Sequence, residues 1–125
     1  MEPRAILHRS RSVDCFPVDG HTLGLRLRTG RGDFDRVEVI YTDNKFTWTQ
    51  KRRRLRMERA LSDSRFDYYT ARLHGEDSRF AYIFRLHAGD ESWYLCEEGL
   101  SRTFRFSLGY FNYFQSVSYT HLTLP

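Results

Sequence analysis

The chain has 125 residues, a length that suits one domain able to bury a core. Its 20 Lys and Arg against 16 Asp and Glu leave a formal charge of +4, with the two signs interspersed along the chain as on a solvated surface. Such mild basicity does not compel a nucleic-acid partner, and no apolar run approaches the ~20 residues of a membrane span, so neither partner is expected. Cys15 and Cys96 are the only cysteines, with no Cys-x-x-Cys and no Cys/His cluster at zinc spacing. They are expected to be reduced and largely buried. The first nine residues hold no apolar core of signal-peptide length, and a cytoplasmic location is expected.

Alternation dominates the pattern, and helical periodicity is weak. Leu23, Leu25 and Leu27 alternate with Gly24, Arg26 and Arg28, which predicts a half-buried antiparallel strand. Thr29 to Asp33 carries a turn signal. Val37, Val39 and Tyr41 share one face of the next strand. Leu55 and Met57, set between Arg54, Arg56 and Glu58, predict a third, and Phe66 to Leu73 a fourth. After a polar turn at 74–78, Phe80, Tyr82, Phe84 and Leu86 alternate with Ala81, Ile83, Arg85 and His87. The run Ala88-Gly89-Asp90-Glu91 predicts a hairpin returning through Trp93 to Cys96, with Trp93 and Tyr94 on a possible edge strand. Phe104 and Phe106 suggest a last short strand. Short strands between Gly/Asp-rich turns predict an all-β antiparallel sandwich of about seven or eight strands. Leu25, Val39, Tyr82 and Phe84 are expected to face its interior.

The chemistry-bearing residues are few. Lys51 to Arg54, with Arg56 and Arg59, is the densest charge run. It reads either as a phosphate grip or as a solvated loop leading into a strand; the aromatics alternate at core spacing rather than interleaving with these arginines, which favours the loop. The acids around Asp33 and Asp63 lack the spacing of a calcium loop, so no metal and no cofactor are expected. The five histidines accompany no nucleophile pattern, and no carboxylate pair sits in a recognisable cleft, so no catalytic residue is assigned.

Several segments, in order, resemble the N-terminal immunoglobulin-like domain of neopullulanase, cyclomaltodextrinase and maltogenic amylase, glycosidases of the α-amylase superfamily. Ala5-Ile6-Leu7-His8-Arg9 is similar to that family's opening strand, and His21 to Thr29 to its second core strand. Tyr41-Thr42-Asp43 followed by Trp48 is similar to its Tyr-Gly-Asp segment and the tryptophan beyond it, with Thr42 in place of Gly and Asn44-Lys45 in place of Pro-Tyr. Phe66 to Tyr69 and Phe80 to Phe84 match two further strands, and Gly109 to Phe114 looks like the segment leading toward the catalytic barrel. The resemblance implies an immunoglobulin-like β-sandwich accessory to an α-glucan-degrading enzyme. Its implied partners are a maltodextrin or cyclodextrin, its own catalytic domain and a homodimer mate, with catalysis supplied by a barrel downstream. A free-standing carbohydrate-binding module, or a basic β-domain that binds nucleic acid, are the alternatives.

Within that reading, Trp48 is the candidate sugar platform, because a pyranose presents a C–H-rich face to an aromatic plane. Asp43 and Asn44 would supply polar partners for its hydroxyls, and Tyr41 completes the candidate set. Trp48 serves equally well as a cover over the open end of the sandwich, and Tyr41 follows the core alternation of Val37 and Val39. From Val117 onward the residues can be encoded by GTC TCT TAT ACA CAT CTG ACG CTG CCG, which looks like a transposon-end sequencing adapter. Residues 116–125 are therefore expected to be a foreign tail, and 1–115 the domain, cut before its catalytic barrel.

Overall fold

The structure is a computed structural model that describes residues 1–10, 13–42, 52–75, 79–103 and 111–114. It is an all-β sandwich of two antiparallel sheets. The strands are β1 (Cys15–Asp19), β2 (Thr22–Gly30), β3 (Arg36–Thr42), β4 (Arg53–Arg56), β5 (Glu58–Ser62), β6 (Phe66–His74), β7 (Arg79–Ala88), β8 (Glu91–Cys96), β9 (Gly99–Ser101) and β10 (Phe111–Phe114). A four-stranded sheet runs β1-β2-β6-β5. A six-stranded sheet runs β4-β3-β7-β8-β9, with β10 also paired to β7.

The predicted alternation is realised where a strand has one buried face. Leu23, Leu25 and Leu27 point inward from β2, and Tyr69 and Leu73 from its neighbour β6. Val37, Val39 and Tyr41 on β3 lie directly opposite Leu86, Phe84 and Tyr82 on β7. These residues, with Phe34, Met57, Phe80 and Phe111, form one core between the sheets. Leu25, Val39, Tyr82 and Phe84 are at most 1% exposed, as their alternation predicts. β7 is the axis of the larger sheet. One edge pairs along β3; the other is shared, β8 taking Phe84 to Ala88 and β10 taking Arg79 to Tyr82.

Four features depart from the sequence reading. The strand expected around Leu55 and Met57 is two strands. β4 is the edge of the six-stranded sheet and β5 the edge of the other, and the chain crosses between them at Met57, which is buried and donates its backbone N–H to Val37 O at 2.8 Å. β1, β5 and β9 bring the count above the expected seven or eight: β1 and β5 are exposed edge strands almost without an apolar alternation, and β9 has only three residues. The opening segment around Ile6 makes a 3₁₀ turn over Pro3–Ala5 and then one bridge, Leu7 to Arg28, instead of a strand. Trp93 and Tyr94 sit on an interior strand, because β9 covers the side of β8 away from β7. The strand suggested by Phe104 and Phe106 lies outside the described residues, as does the tail from 116.

The opening segment stops pairing as a strand where His8 turns into the sandwich. Its Nδ1 lies 2.7 Å from Arg26 O and its Nε2 2.7 Å from the Tyr82 hydroxyl. A carbonyl only accepts, so the proton sits on Nδ1, and Nε2 accepts from Tyr82. The ring meets Tyr82, Phe84 and Phe111 edge-on at centroid distances of 5.5, 4.8 and 4.9 Å. Burial lowers the His8 pKa from its ordinary 6.5 despite the Arg26 carbonyl and the nearby Asp14 charge, which favour the proton. Beside it, Asp14 takes Arg26 Nε at 3.0 Å and Arg9 Nε at 3.2 Å. Burial pushes the Asp14 carboxyl up, but the Arg9 amide and the two guanidinium groups outweigh it and hold the group below its usual value.

At Gly89, φ is 62°, the left-handed region that an L side chain rarely adopts, and the turn it permits is pinned by its N–H donating to Asp35 Oδ2 at 2.6 Å. At Gly24 a Cβ would stand 2.5 Å from the Phe16 ring, so glycine there lets the β1 aromatic lie flat on β2. Both cysteines are free, Cys15 buried in the core and Cys96 half-buried on the other side of the larger sheet.

Two outcomes follow from this packing. Phe84→Ala is expected to cost about 3–5 kcal/mol of unfolding free energy in a denaturant titration; a loss below about 1 kcal/mol would mean that its ring is not in the core. A second expectation concerns pH. The unfolded chain takes a proton on His8 near pH 6.5, whereas the folded chain resists it. Stability is therefore full above that pH and falls as pH drops below it. The thermal midpoint is expected to decline between pH 7 and pH 5, with His8→Gln flattening that slope; an unchanged slope in the variant would assign it to other groups.

Candidate functional site

Of the four residues singled out for sugar contact, Tyr41 is described, and Asp43, Asn44 and Trp48 lie outside the described residues. Tyr41 closes β3 with its ring turned inward, 7% exposed, opposite Tyr82 on one side and Arg53 on the other. The Arg53 guanidinium stands 5.4 Å from its centroid. The alternation set by Val37 and Val39 therefore places Tyr41 in the core, and its ring is already covered. β3 ends at Thr42 and its antiparallel partner β4 begins at Arg53.

The larger sheet carries a second, outward face with its own chemistry. Cross-strand register aligns Arg56 on β4, Glu38 on β3, Arg85 on β7, Tyr94 on β8 and Ser101 on β9 in one row. The Glu38 carboxylate lies 2.7 Å from His87 Nε2 and 3.8 Å from Arg54 Nε. Burial pushes the Glu38 pKa up, but His87, Arg36 and Arg54 together hold it below the usual carboxylate value. The Arg85 guanidinium lies 5.6 Å from the Tyr94 centroid, and its Nε is buried with no hydrogen-bond partner among the described residues.

Below that row, Ile40, Ala81 and Ile83 form a small apolar cluster with Tyr94 and Cys96 packed against it. Ile83 floors a cavity of about 210 Å³ that opens between β7, β8 and β9. Tyr94, Cys96 and Leu100 continue its lining, and Glu98, Ser101 and Thr103 bring polar groups to it. Sequence alternation placed Ile83 on the face opposite Tyr82 and Phe84, and gave Tyr94 no face. The cavity depends on the β8–β9 hairpin, in which Tyr94, Leu95 and Cys96 pair with Ser101, Leu100 and Gly99.

The outward face of the smaller sheet is an arginine-and-aromatic ladder. Arg28 lies over Phe66 at 4.1 Å, Arg65 over the same ring at 5.3 Å, and Arg26 over Tyr68 at 5.8 Å. Arg102 covers Trp93 on the other sheet at 4.4 Å. These guanidinium groups shield half-buried rings and keep their charge in water. At these positions the basic surface covers aromatics.

The most deeply buried carboxylates are structural. Asp14 binds Arg9 and Arg26. Asp67, 1% exposed, accepts from Ser62 Oγ at 2.5 Å and Gly32 N at 2.9 Å, tying the β2–β3 turn to β5. Burial raises its pKa, but the Ser62 hydroxyl, the Gly32 amide and Arg59 outweigh it, and the group stays ionised below its usual range. Asp19 and Asp63 accept backbone N–H groups of His21, Arg65 and Phe66 in turns. Among the described residues, no group of three or more His, Cys, Asp or Glu is placed to hold a metal ion.

Comparison with known proteins agrees with this architecture. The family described as "Alpha amylase, N-terminal ig-like domain" matches residues 1–121. Neopullulanase 2 of Thermoactinomyces vulgaris is 34% identical over 110 residues, covering 87% of this chain and 19% of that protein. A cyclomaltodextrinase of Geobacillus thermopakistaniensis is 34% identical over 102 residues, covering 79% and 17%. A solved cyclomaltodextrinase structure superposes with a TM-score of 0.84 at 25% identity, over 91% of this chain and 20% of that one. The chain thus spans about a fifth of the length of the relatives it matches. A match along almost the whole chain, onto a two-sheet sandwich of the expected kind, establishes that this chain belongs to the N-terminal immunoglobulin-like domain family of α-amylase-type enzymes.

Proposed function

We propose that this chain is the accessory N-terminal domain of an α-glucan-degrading glycoside hydrolase of the neopullulanase and cyclomaltodextrinase type. It contributes weak substrate binding, assembly with a catalytic barrel in a dimer, or both. The observation that carries the reading is the family match along the chain combined with its share of the relatives, 19% of neopullulanase 2. Hydrolysis by such enzymes requires two carboxylates flanking the scissile bond in a shaped cleft. Here the buried carboxylates Asp14 and Asp67 are committed to arginines, amides and a hydroxyl, so the catalytic pair would come from the remainder of the enzyme.

Tethering a weak binding module to a catalytic domain raises the local substrate concentration without any strong contact. A domain that packs on the barrel of a second subunit instead narrows access to the cleft. Nucleic-acid binding is the less favoured reading, because Arg26, Arg28, Arg65 and Arg102 lie over aromatic rings rather than standing free to grip phosphate. A cytoplasmic enzyme acting on short maltodextrins fits this domain best.

The chain alone is expected to show no glycosidase activity and to bind maltoheptaose or β-cyclodextrin at roughly millimolar strength, since few contacts survive the ordering costs of association. Tryptophan fluorescence with added sugar, on the native chain and on Trp48→Ala, reads this directly. Saturable binding lost in the variant supports Trp48 as the platform, and binding that survives removes it from the site. Hydrolysis by the purified chain would overturn the accessory role.

A further inference from the structure

We propose that His21 and His74, brought together where the β1–β2 turn meets the end of β6, form a two-imidazole site for a divalent transition-metal ion of the nickel, copper or zinc class. Histidine binds such ions through an unprotonated ring nitrogen. Four histidines are among the described residues. His8 has both ring nitrogens engaged, by Arg26 O and Tyr82, and so has His87, by Glu38 and Ser92. His21 and His74 are exposed, and among the described residues nothing hydrogen-bonds to the His21 ring or to His74 Nε2. Strand pairing sets their proximity. Thr22 of β2 stands directly opposite His74 of β6. One residue further on, the Gly75 N–H donates to His21 O at 2.9 Å, which joins the turn to the end of β6 beside His74.

A hydrogen-bond chain orients the His74 ring. Asp19, paired with Thr22 across the hairpin, accepts from the His21 amide at 2.8 Å and from the Thr22 hydroxyl. A carboxylate only accepts, so the Thr22 proton goes to Asp19. Thr22 Oγ1, 3.0 Å from His74 Nδ1, therefore accepts from that ring nitrogen. Nδ1 carries the proton, and Nε2 is left with its lone pair. A ring whose other N–H is tied to an oxygen is the usual condition of a metal-ligating histidine. The exposed His21 ring rotates freely toward the same ion, on the fast timescale of surface side chains. Asp19 stays behind the two rings as the orienting group, and its charge reaches both imidazoles and favours a cation there. The chelate thus takes two ligands from the protein, and water completes the coordination sphere. The two histidines are far apart in sequence and meet only in the folded chain, so an ion bound to both stabilises the fold.

The probe is Ni²⁺ alone, titrated calorimetrically into the full chain. Saturable binding of one ion per chain is expected, with the thermal midpoint rising as Ni²⁺ is added. In proton NMR, the paramagnetic ion is expected to broaden the ring signals of His21 and His74 before those of His8 and His87. His21→Ala and His74→Ala, both at exposed positions, are each expected to weaken binding at least about tenfold, the loss that removing even an orienting partner brings. Thr22→Val keeps the size of the side chain and deletes the hydroxyl; it is expected to weaken binding about 10–100-fold, with Thr22→Ser restoring it. The metal-free thermal midpoint of each variant separates loss of the site from loss of the fold. His121→Ala, at the remaining histidine of the chain, is expected to change nothing. Equal binding by the native chain and both histidine variants would overturn the site, as would binding that disappears only in His121→Ala. Loss in one of the two histidine variants without the other would overturn the two-imidazole arrangement.

Discussion

The hydrogen bond between His8 and Tyr82 is the point on which the two sheets, the opening segment and β10 converge. Through it the opening segment, which forms only one bridge to β2, is fixed against the central strand of the opposite sheet. The same imidazole holds the Arg26 carbonyl of β2, so one side chain links both layers. The Tyr82 ring stacks on Phe111 of β10 at 5.2 Å with an interplanar angle of 22°, which brings the last described strand into the cluster. Burial and the neighbouring Cys15 thiol raise the Tyr82 hydroxyl far above its ordinary pKa, so it stays protonated and donates to His8. A polar chain in a core stabilises only when each member is satisfied. Here a carbonyl, an imidazole, a phenol and a thiol are in sequence.

With the interior closed by that chain, the outward faces are free to differ. The smaller sheet covers Phe66 and Tyr68 with guanidinium groups and becomes a charged, solvated surface. The larger sheet keeps a second apolar cluster at Ile40, Ala81 and Ile83 under a polar row, and there it leaves a cavity. An outward cluster beneath polar groups is what a binding face needs: an apolar floor for contact and a few placed groups for orientation.

The central strands were legible because each has one wet and one dry face. Leu23, Leu25 and Leu27, and Phe80 through Leu86, repeat at period two, which only a half-buried strand rewards. β5 was not legible. Both its faces are exposed, so Glu58 to Ser62 have no reason to alternate. Nor was the division at Met57, because a crossing between sheets leaves the period of apolar residues almost unbroken. His8 gave no signal, since a lone histidine in a short segment has no periodicity to betray its burial. Tyr41 was legible as core by its parity with Val39, and its ring is buried as that parity predicts. The cavity at Tyr94 could not be read in advance. It arises from the pairing of β8 with the three-residue strand β9, whose glycine-led sequence carries no pattern.

The central claim, that His8 and Tyr82 act together in joining the layers, is tested most directly by a double-mutant cycle. Unfolding free energies would be measured by denaturant titration at pH 7.5 for the native chain, His8→Leu, Tyr82→Phe and the double variant. Coupled buried partners show interaction energies between about 0.5 and 3 kcal/mol, and a coupling of about 1 kcal/mol or more is expected here. Additive effects, with a coupling below about 0.3 kcal/mol, would contradict the account and leave the two side chains as independent pieces of the core.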